Sequence, residues 1–276
     1  MIHIVTDSTS DLSPEMIDQY QIGVIPLGVF IQGKTYRDKI EITLEELFRS
    51  VENTGQLPKT SAAPVGEFLP HFDQADEVIF IGISSKLSAT IQNAMLAAEE
   101  LEKPVRVIDS LNLSTGIGQL VMLAVELREQ GNSAEEIETA VRAAIPKIRT
   151  SFTIDTLDYL YKGGRCTAMQ SIVGSLLKIR PVIEVMPDGT LGVKDRLRGS
   201  RNKALMSMVE AFRADLSNID LHRVFITHTG CHADAEFLRQ ELRKIAPIEE
   251  LAVTLAGSVI ASHCGPNTIG IIYKVK

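Results

Sequence analysis

The first half of this chain consists of short continuous apolar runs separated by stretches of helical spacing. "IHIVT", "EVIFIGIS" and "VRVIDS" are apolar over most of their length, as expected of strands buried on both faces. Helices are predicted between and after them, several with explicit boundary signals. "SPEMIDQY" has Ser13 as N-cap and Pro14 at the first helical position. "TLEELFRSVENTG" carries a capping box, Thr43 with Glu46, and stops at Gly55. "SATIQNAMLAAEELEK" and "TGIGQLVMLAVELREQG" follow the second and third strands, and "SAEEIETAVRAAIPKI" opens on a second capping box, Ser133 with Glu136. "IGVIPLGVFIQGKTYRD" is broken by Gly and Pro and reads as extended segments with a turn near Gly33. Strand–helix alternation of this kind predicts an α/β unit with a mostly parallel sheet between two helical layers.

The rhythm changes near residue 150. "RTSFTI" reads as a strand, "DTLDYLYKGG" as a short helix ended by glycines, and "SIVGSLLKI" as a further helix. "RPVIEVMPDGTLGVKDRL" is two strand runs joined through "PDGT". "RNKALMSMVEAFRADL" and "DAEFLRQELRKI" are amphipathic helices flanking the strand "HRVFITH", and "EELAVTLAG" and "GIIYKVK" finish as strands. Hairpin and helices together predict a second, α+β domain. The expected division is 1–150 and 151–276.

Composition narrows the function classes. A net charge of −7 argues against a general nucleic-acid or anionic-membrane binder. No apolar run approaches the ~20 residues of a membrane-spanning helix, and "MIHIVTDSTSD" lacks the basic and apolar regions of a signal peptide. The three cysteines, Cys166, Cys231 and Cys264, are odd in number and widely spaced, which suggests neither a disulfide framework nor a CxxC metal site. The expectation is a cytoplasmic protein with reduced thiols.

In an open parallel sheet, ligands gather beyond the carboxyl ends of the strands. Three predicted strands end there in Asp7 and Ser8, Ser84 and Ser85, and Asp109 and Ser110. The middle one continues "KLSAT", placing Ser88 as N-cap with Ala89 and Thr90 in the first turn. Such a turn either caps its own helix or, through free backbone N–H groups and the helix dipole, binds an anion. "KTSAAP" repeats the choice: Thr60 and Ser61 precede a helix expected from Pro64. In "KGGRC", Arg165 follows two glycines, and its planar donor fork suits solvent, a carboxylate or a phosphate. "RLRGSRNKA" gathers Arg196, Arg198, Arg201 and Lys203 around one glycine, as a solvated helix start or a basic patch. "SHCGPNTIG" reads as a loop that carries His263, an imidazole able to donate to a carboxylate. His228 and His232 have the i, i+4 spacing of two metal ligands, but no HExxH or third ligand accompanies them. GxSxG, Walker A and GxGxxG signatures are missing from the chain.

The segments "IVTDSTSDL", "TSAAP", "ISSKLSATIQNA", "VIDSLNLSTGIGQLV", "LDYLYKGGRC", "RLRGSRNKAL" and "SHCGPNTIG" occur in this order along the whole chain. Taken together they resemble the DegV family, the fatty-acid-binding proteins that serve as the FakB-type subunit of bacterial fatty acid kinase. The resemblance implies a protein that buries one long-chain fatty acid in an apolar tunnel between two domains. It further implies no independent turnover, no cofactor and at most transient membrane contact, with a separate ATP-dependent fatty acid kinase expected to phosphorylate the carboxylate to an acyl phosphate. Carried over residue by residue, the carboxylate falls to Thr60, Ser61, Ser88, Thr90 and His263, and the rim facing the partner to Arg165, Arg198 and Arg201. The chain departs from the family pattern in "TSAAP", in Ala89 and in Asn267, the last two standing where glycine is usual. A methyl at position 89 is expected to narrow the backbone's approach to the carboxylate. The rival reading is a serine esterase or thioesterase with Ser88 as nucleophile and His263 as base; no nucleophile elbow frames Ser88.

Overall fold

The computed structural model describes residues 1–165 and 179–276. Strands β1 (Ile2–Asp7), β2 (Gly23–Ile25), β6 (Glu77–Gly82) and β7 (Val105–Asp109) form a wholly parallel sheet in the order β2-β1-β6-β7. Every residue of β6 after Glu77 is buried, hence its unbroken apolar run. Helices α3 (Val65–Phe72) and α4 (Thr90–Glu99) cover one face, where Phe68, Phe72 and Phe80 pack with ring centroids 5.4 to 5.9 Å apart. Helices α5 (Thr115–Glu129) and α6 (Ala134–Ala144) cover the other. The three-layer α/β arrangement expected from the sequence is present.

A second sheet is mixed, in the order β10-β9-β8-β13-β11-β12. It is built from β8 (Ile148–Thr153), β9 (Ile179–Val185), β10 (Leu191–Arg198), β11 (Ile219–His228), β12 (Glu250–Leu255) and β13 (Ile269–Val275). Helices α8 (Arg201–Asp215) and α9 (His232–Ile245) pack on its outer face, giving the α+β half. Its inner face meets α5, so that helix is sandwiched between two sheets, which explains its nearly all-round apolar first three turns. Buried polar groups on α5 are paired across the gap: Gln119 Nε2 donates to the Arg223 carbonyl at 3.0 Å, and the Thr115 and Thr227 hydroxyls meet at 2.6 Å. The predicted helix "SIVGSLLKI" lies outside the described residues except for Ile179, which begins β9.

Two segments differ from expectation. Thr60 and Ser61 do not cap a helix: Lys59–Ser61 is a short strand, β5, in a three-stranded antiparallel sheet with β3 (Gly28–Ile31) and β4 (Lys34–Arg37). The following α3 starts behind Pro64 with no side-chain cap. The second difference concerns His263, which lies in the last turn of a seven-residue helix, α10 (Ser258–Cys264), rather than in a loop. Local signals for α10 are weak because Gly257, its N-cap, has no side chain to contribute.

Carboxylates from the first part of the chain supply that cap. Asp11 Oδ1 accepts from Gly257 N at 2.8 Å, and Asp38 Oδ1 from Ser258 N at 2.7 Å and Val259 N at 3.3 Å. Both aspartates are buried; Lys39 pairs with Asp11 at 3.1 Å, and the Ser8 hydroxyl donates to Asp38 at 2.8 Å. Burial raises the Asp38 carboxyl to about 6, against the pull of Ser8 and Lys39.

A raised carboxyl pKa means that, between pH 3.8 and about 6, the folded state holds a proton the unfolded chain has released. From this group alone, stability falls as pH rises through that window. His228 and His263, both lowered to about 4 chiefly by burial, act in the opposite sense, so the variant must be compared with the parent at each pH. Asp38→Asn keeps an oxygen for Ser258 and Val259 and removes the buried charge. Its stability relative to the parent is expected to improve by on the order of 2 kcal/mol between pH 4 and pH 7. Denaturant melts of both proteins across that range check this; a constant difference contradicts it.

Candidate functional site

Beyond the carboxyl ends of the parallel strands, most of the polar groups shape the loops themselves. Asp7 accepts from Ile83 N at 2.8 Å and Thr9 N at 2.9 Å, and Asp109 accepts from Leu111 N at 2.9 Å. The Ser84 hydroxyl donates to the Gly189 carbonyl at 2.8 Å, which docks the tip of the β9–β10 hairpin against the end of β6. Gly189 has φ +84, and a Cβ there would lie 2.3 Å from Ser84 Oγ, so the "PDGT" turn fits this seat only with glycine.

Between these loops, α10 and α7 (Asp158–Lys162) lies a pocket of about 510 Å³, counting its open mouth. Its walls are mostly apolar, with Leu27, Leu87, Leu113, Leu160, Leu191 and Ile260 among them. Its polar side chains among the described residues are Thr60, Ser61, Ser88, Arg165 and His263. Five of the eight residues singled out from the sequence are therefore brought to one place. Larger hollows, of about 800 Å³ around Arg149 and about 1250 Å³ around His3, contain none of them. An apolar cavity with a few convergent polar groups is the usual form of a small-molecule site. A second cavity of about 340 Å³ shares the walls Leu113, Ile260 and Cys264 and extends between the loop before α5, α10 and the second sheet, past Phe152 and Ile272.

Two of these polar side chains meet each other: Thr60 Oγ1 lies 2.8 Å from His263 Nε2, across 203 residues of sequence. The ring's other nitrogen, Nδ1, is buried with no hydrogen-bond partner among the described residues. Burial, with the charge of Arg165 nearby, holds His263 at about 4, so the imidazole is neutral near pH 7 and has one N–H to donate. Ser88 does not cap α4 as its N-cap residue; Ala89 occupies that position. The Ser88 hydroxyl instead meets Thr90 Oγ1 at 2.8 Å and accepts from Thr90 N at 3.3 Å. Thr90 is fully buried behind Ser88 and does not line the pocket. Ala89 is exposed with ordinary backbone angles (φ −78, ψ 5), so its methyl does not narrow the pocket. Asn267 has φ 57, the left-handed geometry that explains glycine in this place and that Asn tolerates.

Arg165 folds over the pocket, donating from Nη1 to the Gly163 carbonyl at 2.7 Å and from Nε to the Leu87 carbonyl at 3.3 Å. The other two arginines are elsewhere. Arg198 is exposed at the end of β10 and lines no part of the pocket. Arg201 is held by the carboxylates of Asp155 and Asp234 and by the Asn267 carbonyl, so its charge is spent in a structural ion-pair cluster. His228 and His232 pack ring against ring at 4.6 Å, and no cluster of three or more metal-ligating side chains occurs among the described residues.

Gly163 is a further site residue, which in the sequence shows only as a helix stop. Its backbone is ordinary (φ −73), but a Cβ there would fall 2.4 Å from His263 Nδ1. The expected result of Gly163→Ala is a displaced imidazole that loses Thr60, lowers the melting temperature and titrates closer to the ordinary 6.5. Imidazole ¹⁵N shifts of the ligand-free variant against pH check this; a parent-like ring at about 4 contradicts it.

The fold recurs in known proteins. The family model for the uncharacterised proteins of the DegV family matches residues 1–276. A DegV domain-containing protein of Caldanaerobacter subterraneus subsp. tengcongensis is 35% identical, the alignment covering 100% of this chain and 99% of that one. Among solved structures, a fatty-acid-binding DegV family protein from Thermus thermophilus superposes with a TM-score of 0.93 at 36% identity, covering 100% of this chain and 99% of that one. DegV of Bacillus subtilis, a fatty acid binding protein, superposes with a TM-score of 0.89 at 30% identity over 100% of this chain and 99% of its own. With the whole chain matched in sequence and in fold, this protein belongs to the DegV family.

Proposed function

We propose that this protein is a carrier that holds one long-chain fatty acid, head group against Thr60, Ser61, Ser88 and His263, and presents the carboxylate to a separate ATP-dependent kinase. The observation that carries the reading is the Thr60–His263 contact in a mostly apolar pocket. A carboxylate entering there meets hydroxyls, a neutral imidazole and the Arg165 guanidinium, which together offset its desolvation. Thr90 acts one step back, by orienting the Ser88 hydroxyl. The acyl chain runs past Leu113, Ile260 and Cys264 into the second cavity. Burying a C16 chain is worth roughly 10 kcal/mol at ~0.8 kcal/mol per methylene, before ordering costs. The fatty-acid-binding relatives from Thermus thermophilus and Bacillus subtilis support this ligand class. We further propose that residues 1–150 and 151–276 form the two domains, with the ligand between them.

Phosphoryl transfer would take place at the mouth, where Arg165 orients the carboxylate and balances charge building on the transferred group. Arg198, exposed and outside the pocket, is left as a contact for the partner rather than for the carboxylate, while the acidic partners of Arg201 already neutralise its charge. The esterase reading is disfavoured by the contacts: His263 bonds Thr60, Ser88 bonds Thr90, and no carboxylate orients the ring among the described residues. No helix among the described residues is long and apolar enough to cross a membrane, and the proposed setting is the cytoplasm, with membrane contact at most transient.

Native mass spectrometry followed by solvent extraction is expected to find one C14 to C18 acid per chain; a mass unchanged after incubation with such acids overturns the reading. Thr60→Val, which removes one hydroxyl at nearly constant volume, is expected to weaken fatty-acid binding about tenfold. Arg165→Ala is expected to keep the lipid and lose most acyl-phosphate formation with a cognate kinase and ATP. Normal turnover by Arg165→Ala rejects the rim role.

A further inference from the structure

Helix α10 has seven residues, a length at which an isolated helix does not hold together in water. Its far end carries His263; its near end is gripped by Asp11 and Asp38 through three backbone N–H groups. A serine or asparagine at position 257 would cap the helix with a neutral group, whereas this chain buries two carboxylates, with Lys39 pairing only Asp11. Gly257 is what lets them in: a Cβ there would lie 2.8 Å from Asp38 Oδ2 and 3.0 Å from Asp38 Oδ1. The two aspartates are anchored in turn. Asp38 receives the Ser8 hydroxyl and Asp11 the Ser114 hydroxyl, and Ser8 sits directly after Asp7, whose carboxylate ties to the end of β6. The start of α10 is therefore fixed to the same loops that carry Ser88, while its end faces Thr60. With a rise of about 1.5 Å per residue, His263 lies about 7.5 Å along the axis from Ser258, and a shift at one end is delivered to the other.

We propose that Asp38, together with Asp11, is a positioning residue for His263: the carboxylate clamp on the N-terminus of α10 sets the imidazole against Thr60 and so determines head-group recognition. This rests on the fatty-acid reading of the pocket. The clamp touches no ligand and acts only through the helix.

The test uses delipidated full-length protein with hexadecanoic acid and, as a tail-only control, hexadecan-1-ol. Asp38→Ala is expected to weaken acid binding at least tenfold and alcohol binding less than twofold. His263→Ala is expected to do the same, and the double variant to lose no more than either single change, because both remove one coupled unit. Asp38→Asn, which keeps the acceptor oxygen, is expected to restore acid binding to within threefold of the parent. Gly257→Ala pushes the helix start off the clamp with both carboxylates in place; it is expected to show the same acid-selective loss and decides the matter if Asp38→Ala does not fold. Losses that add in the double variant, or that fall equally on acid and alcohol, overturn the proposal. If the parent binds neither probe, the fatty-acid reading itself has failed. The clamp is then judged on the ligand-free His263 ring alone: ¹⁵N shifts in Gly257→Ala identical to the parent overturn it, and displaced shifts uphold it.

Discussion

Three carboxylates withdrawn from water, Asp7, Asp11 and Asp38, accept hydrogen bonds from backbone N–H groups that belong to other parts of the chain. A buried N–H without a partner is costly, and a buried carboxylate without donors more so. Each group here resolves the other's deficit. Asp7 joins β1 to the end of β6, 76 residues on; Asp11 and Asp38 join the same region to the start of α10, 246 and 220 residues on. The arrangement draws the last helix out of its own half and packs Val259 and Ala261 into the core beneath the small antiparallel sheet. Burial leaves its trace in the raised proton affinity of Asp38.

From that constraint the pocket follows. Helix α10 forms one wall, the loop holding Ser88 another, and strand β5 brings Thr60 to the ring of His263. The hairpin tip at Gly189 and the arginine at 165 close the remaining side with hydrogen bonds to the ends of β6 and its loop. Exposed polar atoms are thus concentrated at one end of the space; the continuation past Cys264 has threonines and His228 among its walls, but the surface it presents is almost wholly apolar. Such an asymmetric space suits an amphiphile with a small anionic head better than a compact polar metabolite.

Local chemistry made much of the fold legible in the sequence. Both capping boxes form as read, Ser13 caps α1 (Pro14–Tyr20), and the apolar runs of β1 and β6 lie side by side in the sheet. What stayed hidden depends on partners far along the chain. Helix α10 was unreadable because its cap comes from Asp11 and Asp38. The demand for glycine at 163 is steric and comes from His263, so the local pattern shows only a helix stop. Arg201 resembled a free basic residue because Asp155 and Asp234 reach it only in the folded state. The local pattern around Thr60, Ser61, Ser88 and His263 fits caps and a structural histidine better than a site, and only the family resemblance joins them into one. Their meeting in one pocket is what the fold adds.

The central claim is that the pocket recognises a carboxylate through Thr60 and His263, and carbon-13 NMR of hexadecanoic acid labelled at its carboxyl carbon tests it most directly. Bound to the delipidated protein, the label is expected to give one resonance that shifts in His263→Ala and in Thr60→Val, while the ¹⁵N resonances of the His263 ring move when the acid is added to the parent. A head-group resonance identical in the parent and both variants, with an unmoved imidazole, would place the carboxylate elsewhere and contradict the account.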